Sequence, residues 1–270
     1  MSKRNPSGNT ERGLLEKRLR LRQHKPLKIG VIPDCQVKPG VPLEHLTWAG
    51  RYFAEKKPDV IVCLGDFADM SSLSEWDRGK LSYEGRRYKA DLDSVREGMG
   101  RFRKGLCSTR AYTPRRIITL GNHEQRVDRA ISTNPHLAGT ISTKDLGYKE
   151  AGWEVHPFLE VIQIAGVHFS HFFPSGVMGR PCTTARKIIN TYHVSAIAGH
   201  QQGREVAYAK RGDGNNITAI IAGSFYQHDE DYLTPMANKC WRGIVMLHEV
   251  HDGQFDEMFV SLDFLKRRYS

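Results

Sequence analysis

The sequence predicts one α/β domain in which a sheet of largely parallel strands is followed by a second, more antiparallel sheet packed against it face to face. Three observations predict it. In the first half, short apolar runs rich in β-branched residues alternate with segments of helical spacing, as βαβ units do. In the second half, similar runs follow one another across tight turn signals. No linker divides the 270 residues, a length that suits one large core.

Residues 1–26 read as a polar, basic tail, in which ERGLLEKRLRLRQ (11–23) has the composition of a short basic helix ending before Pro26. The regular pattern, and with it the expected catalytic domain, runs over 27–270. LKIGVIPD (27–34) is an apolar run closed by Asp34, PDVIVCLGD (58–66) one closed by Asp66, and RRIITLGNH (115–123) one closed by Asn122 and His123. Helical spacing lies between them, over Leu43 to Lys56 and over Tyr88 to Lys104. FLEVIQIAGVHFSHF (158–172), VSAIAGH (194–200), NITAIIAGSF (216–225), RGIVMLHEV (242–250) and DEMFVSLDF (256–264) then read as strands. GDGNN (212–216) and HDGQ (251–254) mark hairpin turns, and TTARKIINTY (183–192) is the clear helix of this half.

Composition excludes several classes. With 39% hydrophobic residues the chain is neither disordered nor fibrous, and no apolar run approaches the ~20 residues of a membrane span. The polar N-terminus lacks an apolar signal core, and five scattered cysteines form no CxxC pair; both favour a reducing, cytoplasmic setting. Cys63, within VIVCLG, reads as a small buried hydrophobe. The formal charge of +10 favours an anionic partner. Its distribution is uneven: residues 1–28 carry +7, residues 71–116 carry +6, and the remainder carries −3.

The chemistry collects where the strand-like runs end, at PDCQ (33–36), GDFAD (65–69), GNHE (121–124), HFSH (168–171) and GHQQ (199–202). Parallel sheets place ligand sites at the carboxyl ends of their strands. Hard divalent cations take oxygen donors and borderline ones accept imidazole too, so Asp34, Asp66, Asn122, His171 and His200 form a plausible ligand set from five loops. A glycine precedes Asp66, Asn122 and His200, as a tight bend beneath the site would require. One GD or GH alone is an ordinary turn; five such clusters in strand-closing positions are not.

In this order the motifs resemble those of the calcineurin-like metallophosphoesterases, whose pattern runs D-x-H, GD, GNH[D/E], H, GH-x-H. The resemblance covers roughly residues 27–262. It implies a four-layer α-β-β-α sandwich of two mixed sheets flanked by helices, two divalent metal ions, and hydrolysis of a phosphoester by hydroxide held between them. By position, Asp66 would bridge the metals, Asp34 would serve the first, and Asn122, His171 and His200 the second. His123 would protonate the leaving oxygen, with Asp69 orienting it; a carboxylate on one ring nitrogen fixes the tautomer and favours the charged ring. Glu124 is assigned a local hydrogen bond and no catalytic step. Residues three apart on a strand face opposite sides, so His168 and His171 would not both reach the site. His171 is chosen because it ends its run as the family's histidine does.

Two departures stand at the first metal. Gln36 and Gln202 occupy positions where the family carries histidine, making that set Asp34, Gln36, Asp66 and Gln202. An amide carbonyl is a harder, weaker donor than imidazole. The expectation is a site retuned to Mn²⁺, with Mg²⁺, Fe or Zn²⁺ as alternatives, and loaded less tightly than the second; the opposing reading is a first site that is lost.

For the substrate, Met70 and Ser71 depart from the Arg-Gly that follows GD-x-x-D in protein phosphatases. A basic and aromatic insertion at about 71–90 follows Asp66 and mixes Trp76, Tyr83 and Tyr88 with Arg78, Lys80, Arg86, Arg87 and Lys89. Aromatic faces stack bases while cations track phosphates, which favours a phosphodiesterase or nuclease acting on nucleic acid or a nucleotide. The opposing reading of this segment is a solvated helix pair. Arg126 is either a phosphate contact or a solvated helix charge. The alternatives for the whole chain are a phosphomonoesterase on a small or protein substrate, and a binding or scaffold protein with a degenerate metal site.

Overall fold

In the computed structural model, which describes residues 25–109, 112–230 and 233–270, the apolar runs of the first half become short buried strands. These are β1 (Leu27–Ile32), β2 (Val60–Cys63) and β3 (Arg115–Thr119), with β4 (Glu154–His156) beside them. The second half supplies β5 (Ile162–Ile164), β6 (Val167–Ser170), the small pair β7 (Pro174–Ser175) and β8 (Arg180–Pro181), and β9 (Ala196–Ala198). The strands β10 (Arg204–Lys210), β11 (Asn216–Ala222), β12 (Gly243–His251) and β13 (Gln254–Ser261) follow. The α-helices are α1 (Glu44–Lys56), α2 (Tyr88–Leu106), α3 (Arg126–Thr133), α4 (Ala185–Tyr192) and α5 (Leu262–Tyr269).

One sheet runs β13-β12-β1-β2-β3-β4 and the other β10-β11-β9-β6-β5. Both are mixed: β1 to β4 are mutually parallel and flanked by antiparallel β12 and β13, while the parallel trio β11, β9, β6 is flanked by antiparallel β10 and β5. Three apolar clusters mark the layer boundaries. Leu46, Phe53, Val95 and Phe102 pack α1 and α2 on the outer face of the first sheet, against Ile32, Ile61 and Ile118. Val31, Val62, Phe169, Ile197 and Ile220 fill the space between the sheets. Ile188 and Ile189 of α4 close the far side on Ala196 and Ile221. This is the four-layer α-β-β-α sandwich implied by the family resemblance. Alternation explains it, since residues i and i+2 of each strand share a face and a doubly buried strand must be apolar on both.

Several elements differ from the sequence reading. The run 158–172 contains a hairpin: Ala165 and Gly166 both take positive φ (47° and 84°) and join β5 to β6 as a two-residue turn. The run 256–264 ends as a strand at Ser261, whose hydroxyl accepts from Phe264 N–H and caps α5. The insertion at 71–90 is a chain of single 3₁₀ turns (Ser71–Leu73, Glu75–Asp77, Leu81–Tyr83) before α2, and no helix pair. The basic tail lies outside the described residues up to position 24, and its short helix with it. Among the described residues no helix is long and apolar enough to cross a membrane.

His45 of α1 is fully buried against Phe225, its N–H donating to Gln227 Oε1 at 3.2 Å. Burial, assisted by the neighbouring His228, pushes its pKa down from 6.5 to about 3 against the pull of Gln227. Between these values the unfolded chain takes up a proton that the folded chain refuses, so stability is lost as the pH falls below 6.5. Chemical denaturation of His45→Gln should show a shallower acid loss than the parent, by about 1.4 kcal/mol per pH unit in that window; identical pH slopes would contradict this role.

Candidate metal centre

The parallel strands β1, β2 and β3 of one sheet and β6 and β9 of the other all deliver their carboxyl ends to one edge, and each ends in a polar cluster. Asp34 follows β1, Asp66 follows β2, Asn122 follows β3, His171 follows β6 and His200 follows β9. Backbone hydrogen bonds sew these loops together: Gln36 N–H donates to the Asp66 carbonyl at 2.8 Å, and Gly199 N–H to the His171 carbonyl at 3.0 Å. Asp34, Gln36 and His171 are fully buried and Asp66 is 1% exposed.

The second-metal set is brought together. Ligand atoms of Asp66, His171 and His200 lie within 4.8 Å of one another. His171 Nε2 is 3.4 Å from Asp66 Oδ2 and 2.9 Å from Asn122 Oδ1, and His200 Nδ1 is 2.8 Å from the same Asn122 oxygen. His171 Nδ1–H donates to the Leu64 carbonyl at 2.8 Å, fixing the tautomer. Its Nε2 lone pair is thereby aimed at two oxygen acceptors, an arrangement that repels unless a positive charge sits there. The same demand is visible in the titration: burial disfavours a charged His171, yet Asp66 overrides it and lifts the pKa to about 9. His200 is pushed down to about 4 by burial and by the charge on His171, leaving it neutral as a ligand must be. These residues fit a divalent cation.

At the first-metal set, burial raises the Asp34 pKa and the charge of Asp66 raises it further, again a pocket short of positive charge. Asp34 Oδ1 accepts from His200 N–H and Oδ2 from the Gln202 amide, both at 3.0 Å. Gln202 Oε1 accepts from Tyr226 OH at 2.9 Å, so both ends of this amide are engaged.

Four residues of this group share an uncommon backbone conformation. Gln36 (φ 45°), Asp66 (48°), His200 (68°) and Gln202 (59°) are all left-handed without being glycine, a strained state that clusters at functional sites. The glycines before three ligands serve two purposes. Gly65 makes the expected bend at φ 88°, whereas Gly121 and Gly199 permit close approach. A Cβ on Gly121 would stand 2.1 Å from Asp66 Oδ1, and one on Gly199 2.5 Å from Asp34 Oδ1.

Beside this cluster sit His123 and Asp69. His123 Nδ1–H donates to Asp69 Oδ1 at 2.7 Å, leaving Nε2 facing Asp66 Oδ2 at 3.8 Å. Burial opposes a charged His123, but Asp66 and Asp69 together raise its pKa. Arg126 Nη1 donates to the Asp69 carbonyl at 2.7 Å and to its carboxylate at 3.0 Å, so it braces the pair. His168 bonds the Ser195 carbonyl at 3.3 Å, away from this group, as the strand spacing requires.

Glu124 does more than its expected local bond. Completely buried, its carboxylate accepts from Gly121 N–H at 2.8 Å, from Asp66 N–H and Ala68 N–H at 3.0 Å, and from Tyr148 OH at 2.9 Å. Burial and the charge of Asp66 raise its pKa, and the Ala68 and Gly121 donors oppose that rise. It ties the loop after β3 to the loop bearing Asp66. The clue in the sequence is an acid that directly follows the histidine of the motif; its distant partners carry no sequence signal.

Of the expected substrate residues, Lys80, Arg86 and Arg126 line a cavity of about 150 Å³ that reaches Asp69, with Lys38 and Glu230 opposite. Lys38, missed in the sequence, is 2.6 Å from Glu230 and 3.6 Å from Asp69. Arg78 and Arg87 do not line it: Arg78 pairs with Glu75 at 3.2 Å, and Arg87 donates to the Arg86 carbonyl. Tyr83 and Tyr88 are tied down through their hydroxyls, to the Ser72 carbonyl and to Asp145. Trp76 remains 80% exposed.

No protein-family model and no curated protein sequence matches the chain. Solved structures similar to it include a dimetal phosphatase from Danio rerio, at 10% identity and TM-score 0.42 over 88% of this chain and 100% of that one. Another is a predicted phosphoesterase from Streptococcus pneumoniae, at 12% identity and TM-score 0.34 over 88% of this chain and 99% of that one. Likeness at this level leaves the assignment to the residues of the site.

Glu124→Gln replaces an acceptor by a donor facing backbone N–H groups. It should cost about 1–3 kcal/mol in chemical denaturation and weaken Mn²⁺ binding about tenfold in a calorimetric titration. Parent-like values in both would contradict the strap.

Proposed function

We propose that the chain is a metal-dependent phosphoester hydrolase, a phosphodiesterase or nuclease acting on a nucleic acid or nucleotide phosphoester. The observation that carries this reading is the convergence of Asp66, Asn122, His171 and His200 on one point beside the braced Asp69–His123 pair. A structural scaffold needs neither the acid pair nor left-handed ligands.

The second-metal donors are Asp66, Asn122, His171 and His200; those of the first are Asp34, Asp66, Gln36 and Gln202. Two divalent ions, Mn²⁺ foremost, would when bound neutralise phosphate charge and lower the pKa of water. The chain does the rest. Asp69 holds the Nδ1 hydrogen of His123, which presents the Nε2 proton to the leaving oxygen. Arg126 keeps Asp69 in place, and the cations Lys38, Lys80 and Arg86 give the adjoining cavity the means to hold phosphate oxygens. Burial of the site excludes bulk water and strengthens each of these contacts.

Bis-p-nitrophenyl phosphate should be hydrolysed with Mn²⁺ and no longer after chelation. Asp66→Ala should abolish turnover, and His123→Ala should lower kcat by about 10²–10⁴-fold. Absence of metal-dependent turnover on any phosphoester would overturn the reading.

A second reading, a binding protein whose first metal position is degenerate, is favoured by the Gln202 amide spanning Asp34 and Tyr226. The two readings part at one variant. If the first position is a weakened metal site, the parent binds two Mn²⁺ with unequal affinity and Gln202→His tightens the weaker one about tenfold or more. One Mn²⁺ per chain in the parent, unchanged in activity when Gln202→His adds a second, would favour the degenerate site.

A further inference from the structure

Arg126 lines two depressions. One is the cavity already described; the other, of about 260 Å³, is also lined by Leu73, Ser74, Trp76, Asn122 and Arg129 among others. It therefore reaches a residue of the proposed metal centre, Asn122, while its outer wall is the most open aromatic ring of the insertion.

Two side chains matter there, Trp76 and Arg129. Trp76 is 80% exposed, with the Lys80 ammonium 5.8 Å from its ring centroid. Arg129 donates Nη2–H to the Asn122 carbonyl at 2.6 Å, which holds it at the rim of the centre. Among the described residues it makes no ion pair, whereas its neighbours Arg78, Arg86 and Arg126 are all matched to carboxylates. An exposed indole costs solvation, and among the described residues no carboxylate is in ion-pair contact with this guanidinium, so its remaining N–H groups can take a phosphate oxygen.

We infer that this depression seats an unpaired nucleobase, stacked on Trp76, with Arg129 on the phosphate of the same nucleotide; this rests on the phosphoesterase reading above. The surroundings select that occupant. An acyl chain needs contiguous apolar wall, and here Ser74, Glu75, Asn122 and two arginines interrupt it. A sugar alone has no aromatic face to match the indole. A duplex keeps its base faces stacked inside, so single strands or frayed ends are the class that fits. Lys80, shared between Trp76 and the basic cavity, carries the phosphate track from one depression to the other.

Two fluorescent eight-nucleotide strands of equal charge test it: oligothymidylate, and the same backbone with every base replaced by tetrahydrofuran. Anisotropy is measured with Mn²⁺ on the full chain carrying His123→Ala, so that the strand is not consumed. The base-bearing strand should bind about tenfold more tightly, and added Trp76→Ala should remove that preference while Trp76→Phe keeps most of it. Arg129→Ala should weaken both strands alike and lower the salt dependence by about one phosphate contact. Should Trp76→Ala fail to fold by circular dichroism, Trp76→Ser and the Arg129→Ala titration carry the same comparison. Equal affinity for the two strands, a base preference that survives loss of the indole, or tighter binding of the duplex would overturn the inference. Wild-type turnover of bis-p-nitrophenyl phosphate, run in parallel, separates the two failures: turnover without base preference contradicts this subsite alone, and no turnover contradicts the phosphoesterase reading beneath it.

Discussion

Two carboxylates, Asp34 and Asp66, are held out of water at the seam where the edges of two sheets meet, and much of the surrounding structure answers to that constraint. An ionised carboxylate loses several kcal/mol on burial unless charge or hydrogen bonds replace its hydration. His123 N–H and the imidazoles of His123 and His171 attend Asp66; His200 N–H and the Gln202 amide attend Asp34. Glycines at 121 and 199 are kept because any Cβ would occupy the space the carboxylates need. Even so burial and the neighbouring Asp66 leave the Asp34 pKa raised, and a cation held there would offset that cost.

The chain separates the tasks around this seam. β2 and β3 supply the carboxylate and the acid, and Glu124 ties their two loops into one unit. The second sheet supplies imidazoles, docked onto the first through the Leu64 carbonyl. Arg126 braces Asp69 and also lines two neighbouring depressions.

The architecture, and the polar residues that close its strands, were legible in the sequence because both depend on local pattern. Strand-forming runs of Val and Ile are short and apolar, and each stops at a polar residue that cannot stay buried unpaired. What escaped depends on distance along the chain. The Ala165–Gly166 turn is hidden inside an apolar run, and Ser261 ends a strand whose hydrophobic pattern simply continues into α5. Glu124 reaches backbone 58 positions away, and the left-handed backbone of Gln36, Asp66, His200 and Gln202 leaves no mark on composition. Many cations of 71–116 are held in ion pairs, as in Arg96–Asp93, Arg101–Glu97 and Arg115–Glu154, and those long-range partners were not legible in the net charge. Lys80 and Arg86 of this segment line the cavity that reaches Asp69, and both pair with Asp77.

The central claim is that the buried negative charge is matched by bound divalent metal. Crystals grown with Mn²⁺ and measured at the manganese absorption edge test this most directly. The account predicts an anomalous peak within coordination distance of Asp66, Asn122, His171 and His200, with a weaker one beside Asp34. No peak at the first group, at saturating Mn²⁺ and with the loops in place, would contradict it.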